Sequence, residues 1–222
     1  MIIVTGASRG LGKAITERLI EKGEKVIGLV RSKDTTGIEC DVSDYSSVKN
    51  AAREVKKMKQ PVKAFINAAG VASMNMAVTT HESTVQKIIQ TNIVGTIYCC
   101  QLFAPIMLRQ KHGIFINFST IAVALALKGE SVYAASKAGV ESFSRTFARE
   151  MADFNVRVNC IAPGPIRTDL IRDITDNQIA NIISQQVIPK QFQKSDVCDL
   201  VELLIDDRAS SLSGQVLNVG GV

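Results

Sequence analysis

Short apolar segments of strand length recur along the chain, and longer segments with helical periodicity lie between them. The short segments are rich in Val and Ile and are bounded by Gly, Asn or Pro, which is typical of buried strands. They cover residues 2–5, 25–30, 64–67, 114–118, 157–161 and 216–219, and a further one lies around residues 38–40. The pattern therefore predicts about seven strands.

The segments between these strands predict helices. Ile15, Leu19 and Ile20 recur at helical spacing before Gly23, which predicts a helix over residues 12–22. Longer helical patterns cover residues 84–109, 136–153 and 195–206. Alternating strands and helices indicate an α/β fold, a doubly wound parallel sheet of the Rossmann type with helices on both faces. Because no repeat or linker interrupts the pattern, we expect a single domain over residues 1–222.

The connection between the second and third strands is unusually short. About seven residues separate the two segments, whereas a parallel crossover normally needs about ten or more residues and a helix. Residues 32–37 are mostly polar. We therefore expect a bare loop there.

Composition and charge narrow the class of protein. Hydrophobic residues make up 46% of the chain and charged residues 21%, which indicates a globular protein and excludes a disordered one. The formal net charge of +5 suggests nucleic acid as one possible partner. The basic residues are dispersed, however, and no aromatic residue interleaves with the densest run, Lys56-Lys57-Met58-Lys59. We therefore expect no nucleic-acid partner.

The cysteine pattern and the N-terminal segment favour a protein that binds no metal ion and does not span a membrane. No CxxC pair occurs and only 2 histidines are present, so we expect no metal site. The first apolar segment lacks a preceding basic region, and no uninterrupted apolar run reaches the length of a bilayer span. We expect a soluble, cytoplasmic protein with buried free thiols. Those thiols belong to Cys40, Cys99, Cys100, Cys160 and Cys198.

A glycine-rich loop, Thr5-Gly6-Ala7-Ser8-Arg9-Gly10-Leu11-Gly12, lies between the first predicted strand and the first predicted helix. Small residues there let backbone N–H groups approach a pyrophosphate at the positive end of the helix dipole. Three glycines are often only a turn, but this position favours dinucleotide binding. The candidate cofactor-binding residues in the loop are Gly6, Ser8, Arg9, Gly10, Leu11 and Gly12.

The end of the second strand indicates NADP(H) rather than NAD as the cofactor. A site for NAD places Asp or Glu there to bind the ribose 2′-hydroxyl, whereas this sequence reads Gly28-Leu29-Val30-Arg31-Ser32. Arg9 and Arg31 are candidates to bind a 2′-phosphate through charge-assisted hydrogen bonds. Ser32 would add a hydroxyl donor.

Tyr133 and Lys137 are the strongest catalytic candidates. Four residues apart on a helix, they lie on one face, one turn apart. A free tyrosine has a pKa of about 10. A neighbouring ammonium favours the phenolate, so we expect Lys137 to lower the pKa of Tyr133 toward a useful acid/base range.

Taken in order, the motifs of the chain resemble those of the short-chain dehydrogenase/reductase family. Besides the glycine loop and the Tyr133/Lys137 pair they are Asp41-Val42, Asn67-Ala68-Ala69-Gly70, Asn92, the strand ending at Ser119-Thr120, and Pro163-Gly164-Pro165-Ile166-Arg167-Thr168. The resemblance spans nearly the whole chain. It implies an enzyme that transfers a hydride between a nicotinamide and a carbonyl or secondary alcohol.

The resemblance also implies roles for individual residues. Lys137 would bind the nicotinamide ribose, and Asn92 would bind a water in a proton relay leading to Lys137. The remaining implied cofactor contacts are Asp41 and Val42 with the adenine, Asn67, Ala68, Ala69 and Gly70 with the ribose, and Pro163, Gly164, Ile166 and Thr168 with the nicotinamide carboxamide and the diphosphate.

Two positions depart from the family pattern. Ala68 replaces the second Asn of the usual NNAG motif. The serine that polarises the substrate carbonyl commonly lies thirteen residues before the tyrosine, a position that Thr120 holds here, while Ser119 lies one residue earlier. Both hydroxyls are therefore candidates. Thr120 is favoured because residues 117–120 align without a gap on the N-x-S-S pattern.

The substrate is the least determined part of the prediction. The chain most resembles 3-oxoacyl-[acyl-carrier-protein] reductases, which implies a 3-oxoacyl thioester, a lid over residues 168–194, a cytoplasmic role in fatty acid biosynthesis and a dimer or tetramer. Lys111, beside Arg109, falls where those enzymes bind the carrier protein, although Phe154 replaces another basic docking residue. The alternatives are reduction of a keto-sugar or other small ketone, and a non-catalytic NADP-binding regulator.

Overall fold

The computed structural model describes residues 1–32, 37–172 and 174–222, and seven strands within them form one sheet. The strands are β1 (Ile2–Thr5), β2 (Val26–Val30), β3 (Ile38–Glu39), β4 (Ala64–Asn67), β5 (Gly113–Phe118), β6 (Val156–Ala162) and β7 (Val216–Asn218). Their order across the sheet is β3-β2-β1-β4-β5-β6-β7, and every neighbouring pair is parallel. The predicted doubly wound α/β sheet is confirmed.

Helices cover both faces of this sheet. They are α1 (Gly10–Glu21), α2 (Tyr45–Lys57), α3 (Glu82–Ile89), α4 (Gly95–Gln110), α5 (Ala122–Leu125), α6 (Ser131–Ala152), α7 (Asp176–Ser184) and α8 (Lys194–Ile205). Apolar side chains of α2, α4 and α6 pack on one face, where Phe65 and Phe115 point, and those of α1 and α8 pack on the other. Since β1, β4 and β5 are buried on both faces, their sequences are almost continuously apolar.

The predicted helix over residues 84–109 is part of a longer helical run, Glu82–Gln110, with a π-helical turn at Gln90–Val94 between α3 and α4. By length and composition alone this run could span a membrane. Polar residues such as Asn92, Thr96 and Gln101 interrupt it, so it does not contradict the expectation that no uninterrupted apolar run reaches that length. Its residues Cys99, Phe103 and Met107 are buried in the core beside the sheet, which identifies α4 as a core helix.

Several predicted boundaries change. Helix α6 begins five residues before the predicted start at residue 136, so that it includes Tyr133. Helix α2 lies between β3 and β4, where only a basic run at a helix end was recognised. Residues 33–36 of the short connection lie outside the described residues. All five cysteines are free and buried, as expected.

A line of buried polar side chains joins β4, β5 and α6. The Asn67 amide donates to Asn117 Oδ1 at 2.8 Å, and the Asn117 amide donates to Ser144 Oγ at 2.8 Å. The Ser144 hydroxyl in turn donates to the backbone oxygen of Val140 at 2.7 Å. Because Asn117 is 0% exposed, its hydrogen bonds fix the position of α6 against the carboxyl ends of the strands.

Replacing Asn117 with Ala should lower the free energy of unfolding by about 1–3 kcal/mol for each buried partner left without its hydrogen bond. The double variant Asn67→Ala/Asn117→Ala should lose less than the sum of the two single variants, since it removes both ends of one bond. Urea unfolding measures these values. Asn50→Ala, on the exposed face of α2, is the control and should change stability by less than about 0.5 kcal/mol. Additive losses in the double variant would contradict the coupling.

Candidate active site

A cleft of about 700 Å³ opens at the carboxyl ends of the strands, beside the point between β1 and β4 where the strand order reverses. Ligands of open α/β sheets bind at this kind of switch point, and the volume suits a small-molecule or cofactor site. The cleft brings most of the predicted site residues together. Those lining it are Gly6, Ser8, Arg9, Gly10, Leu11, Arg31, Asp41, Val42, Ala68, Ala69, Gly70, Ser119, Thr120, Tyr133, Lys137, Pro163, Gly164, Ile166 and Thr168.

The glycine loop turns tightly over the end of β1 because Gly6 and Gly10 adopt left-handed backbone conformations, with φ of +66° and +60°. The Gly6 backbone N–H donates to the Leu29 carbonyl oxygen at 3.0 Å, which ties the loop to β2. Gly12 lies behind the loop, where a Cβ would collide with the carbonyl oxygen of Gly6. Gly12 therefore permits close packing of α1 and does not itself line the cleft.

Three further predicted residues do not belong to the described wall of the cleft. Asn67 is buried behind it, where its side-chain amide donates to Asn117 Oδ1, and its contact with the cofactor ribose stays a prediction. Ser32 is exposed beside the cleft, at the edge of the described residues. Asn92 is 0% exposed and lies behind the wall of the cleft.

Asn92 lies in the π-helical turn and connects three parts of the site. Its amide donates to the Val71 carbonyl oxygen at 2.8 Å and to Ser136 Oγ at 3.0 Å, and its Oδ1 accepts from the Val71 N–H at 2.9 Å. Ser136 Oγ donates to the Tyr133 carbonyl oxygen at 2.7 Å. The Asn92 side chain thus fixes the loop after β4 against the first turn of α6.

Lys137 is buried at the base of the cleft, and its ammonium donates to the Phe118 carbonyl oxygen at 2.8 Å. A Cβ on Gly70 would lie 3.4 Å from Asn92 Oδ1 and 3.5 Å from Lys137 Nζ, so glycine there keeps these two groups close. Burial lowers the pKa of Lys137 to about 8, and Cys160 opposes this shift weakly. The ammonium can therefore release its proton near neutral pH.

The environment of Tyr133 differs from the expectation. Burial raises the pKa of the phenol, the charge of Glu130 raises it further, and a hydrogen bond with the Thr120 side chain lowers it. Burial, Glu130 and Thr120, rather than Lys137, determine this shift. Tyr133 is accordingly a neutral phenol at physiological pH.

Ser119 and Thr120 point in different directions. The Ser119 hydroxyl is buried and donates to Glu141 Oε1 at 2.6 Å, about two helical turns beyond Tyr133 on α6. Thr120 is half-buried and hydrogen-bonded to Tyr133. Its Oγ1 also accepts the Ala122 N–H at 3.2 Å, which starts α5. The geometry brings Thr120, rather than Ser119, to the phenol.

Sequence reasoning missed two carboxylates of α6. Glu130 lies at the N-terminal end of the helix and lines the cleft, while Glu141 accepts from Ser119 and forms an ion pair with Arg145 at 3.1 Å. Their spacing from Tyr133 and Lys137 could have identified them, because residues three or four apart lie on one face of a helix. Positions 130, 133, 137 and 141 follow that spacing.

Comparisons with known proteins agree with this arrangement. The family model described as short chain dehydrogenase matches residues 1–179. The 3-oxoacyl-[acyl-carrier-protein] reductase FabG of Staphylococcus aureus is 32% identical over 99% of this chain and 96% of that protein. The enzyme of the same name from Escherichia coli is 30% identical over 99% of this chain and 95% of that protein.

A solved structure with the same fold is the ligand-free aldohexose dehydrogenase of Thermoplasma acidophilum. It is 28% identical, with a TM-score of 0.88 over 99% of this chain and 92% of that one. Since the family model covers most of the chain and its relatives match nearly end to end, the chain belongs to the short-chain dehydrogenase/reductase family and is an oxidoreductase acting on CH–OH and C=O groups.

Proposed function

We propose that the protein is an NADP-dependent reductase of 3-oxoacyl thioesters that works in the cytoplasm. The observation that carries this proposal is the neutral Tyr133 phenol at the base of the cleft, hydrogen-bonded to Thr120. A phenol that keeps its proton at neutral pH is suited to donate one to a carbonyl oxygen, which is the need of a reductase. The similarity to two 3-oxoacyl-[acyl-carrier-protein] reductases supports the substrate class.

The cleft would hold nicotinamide adenine dinucleotide phosphate, NADP(H). The left-handed Gly6 and Gly10 present backbone toward the cleft at the N-terminus of α1, where a pyrophosphate is favoured. Arg9 and Arg31 are exposed at the same end of the cleft and would bind a 2′-phosphate. When bound, the cofactor supplies the hydride.

In this mechanism the side chains of the protein bind the substrate carbonyl oxygen and transfer a proton to it. Tyr133 and Thr120 hold the carbonyl oxygen by two hydrogen bonds that strengthen as negative charge develops on it. Tyr133 then transfers its phenolic proton to that oxygen. Lys137, whose pKa is lowered to about 8, returns a proton to the phenolate, and Asn92 would hold the water that reconnects this pair to solvent.

The segment 168–194 would act as a lid over the substrate. In its described part, Leu170, Ile171, Ile174 and Ile182 line the cleft and give that wall an apolar surface. Such a surface suits an acyl chain, since burying apolar area stabilises the bound state. The exposed Lys111 and Arg109 would bind the acidic carrier protein, and α4 and α6 would pair between copies of the chain in a dimer or tetramer.

A second candidate is a dehydrogenase or reductase of sugars. The fold similarity to an aldohexose dehydrogenase favours it, and the polar part of the cleft near Glu130 could accept hydroxyl groups. A non-catalytic NADP-binding regulator is the third reading.

A substrate panel separates the three. With NADPH, the purified protein should reduce acetoacetyl thioesters with a kcat/KM at least about a hundredfold above that for simple ketones and keto-sugars, because the latter lack the second carbonyl and the acyl chain. Loss of NADPH absorbance measures the rates. Preference for sugars would favour the second candidate, and NADPH binding without turnover on the whole panel would favour the regulator.

Replacing Tyr133 with Phe removes the proton donor and leaves the ring. Turnover should fall by about a hundredfold or more, while the NADPH dissociation constant, followed by cofactor fluorescence, should change little. Retention of more than about a tenth of the rate would rule out Tyr133 as the acid.

Replacing Arg9 or Arg31 with Gln should weaken NADPH binding by about tenfold or more, because each variant loses a charge-assisted hydrogen bond to the 2′-phosphate. NADH binding should change by less than about twofold, since NADH carries no such phosphate. Arg53→Gln, exposed on α2 and absent from the wall of the cleft, is the matched control. Equal losses with both cofactors would contradict the assignment.

A further inference from the structure

Glu130 is a buried carboxyl beside the candidate catalytic residues. It precedes the first residue of α6, lies three positions before Tyr133 and lines the same cleft. It is only 5% exposed, and its charge acts on the Tyr133 phenol. The mechanism described above assigns it no role.

The Glu130 carboxyl has no partner among the described residues. Among residues 1–32, 37–172 and 174–222, none forms a hydrogen bond or an ion pair with the Glu130 side chain. Burial alone raises its pKa to about 7. The neighbouring helix α5 and the loop over residues 71–76 contain no titratable side chain. The exposed Lys128 is the charged group nearest in sequence. The titratable or charged groups that line the same cleft are Tyr133, Lys137, Lys87, Asp169 and Arg172, and, around the glycine loop, Arg9, Arg31, Cys40 and Asp41.

A buried carboxyl without a cation favours its neutral form, and a neutral carboxylic acid can donate a hydrogen bond. Tyr133 and Thr120 already supply two donors to one substrate oxygen. Glu130 adds a third donor next to them, so the cleft fits a substrate with a second acceptor close to the reacting carbonyl. A 3-oxoacyl thioester has such an acceptor, because its thioester carbonyl is two carbons from the 3-oxo carbon.

We propose that Glu130, in its protonated form, donates a hydrogen bond to the thioester carbonyl oxygen while Tyr133 and Thr120 hold the 3-oxo oxygen. The inference rests on the proposed function. Glu130 is then a specificity residue that distinguishes 1,3-dicarbonyl substrates from simple ketones. When Glu130 ionises, its carboxylate can only accept hydrogen bonds, so it no longer binds the thioester carbonyl oxygen, which is also an acceptor. The negative charge of the carboxylate also opposes the formation of negative charge at Tyr133.

The test compares wild type with Glu130→Gln and Glu130→Ala on acetoacetyl-N-acetylcysteamine and on a matched ketone whose thioester carbonyl is replaced by methylene. The wild-type kcat/KM for the thioester should fall as the pH rises through about 7. Glu130→Gln should keep the activity and lose this pH dependence, because its amide donates at every pH.

Glu130→Ala should lose about tenfold to a hundredfold in kcat/KM for the thioester, mainly through KM. Its loss on the matched ketone should be less than about twofold, because that substrate lacks the acceptor. Glu150→Gln, an exposed carboxylate near the other end of α6, is the control for removing one negative charge and should match wild type. NADPH fluorescence titration checks that each variant folds.

The outcomes separate the inference from the proposed function. If wild type reduces the thioester but Glu130→Ala matches it, or if Glu130→Gln keeps the wild-type pH dependence, the inference is wrong and the proposed function stands. If wild type does not reduce the thioester, the proposed function fails and the inference fails with it. A specific loss of sugar turnover in Glu130→Gln would then identify the group as an acceptor for hydroxyls.

Discussion

Asn117 accepts from Asn67 and donates to Ser144 in the buried layer between α6 and the sheet. Asn117 and Ser144 would lose the hydrogen bond between them if α6 shifted, and an unpaired buried polar group is costly. Lys137 extends the same constraint, because its ammonium bonds to the carbonyl oxygen of Phe118, the last residue of β5. The register between α6 and β5 therefore sets the positions of Tyr133 and Thr120 relative to each other.

The burial that holds α6 in place also determines the protonation states of the site. Removing water raises the pKa of Tyr133 and of Glu130 and lowers that of Lys137, so all three groups move toward their neutral forms. Two of these neutral groups are proton or hydrogen-bond donors. The desolvated base of the cleft consequently favours a substrate that is rich in acceptors over one that carries charge.

Local sequence patterns predicted the strands, the sheet type and the glycine loop, because these depend on periodicity and on residues adjacent in the chain. The Ser119 and Thr120 alternatives could not be separated in that way. Their directions depend on Glu141, which lies 22 positions from Ser119. The hydrogen bond between Asn67 and Asn117 could not be predicted for the same reason, since the two residues are 50 positions apart. Glu130 was missed because its candidate role depends on the burial of its carboxyl in the cleft, which spacing along the chain does not reveal.

The two ends of the cleft have different electrostatic characters. Arg9 and Arg31 are exposed at the glycine-loop end, where solvated positive charge attracts an anionic ligand without a large desolvation cost. The Tyr133 end contains a lysine whose charge is weakened by burial and a carboxyl without a cation partner. A cofactor with its phosphates at the first end and a neutral dicarbonyl substrate at the second would match both. One binding orientation is then favoured before any contact specific to the reacting atoms forms.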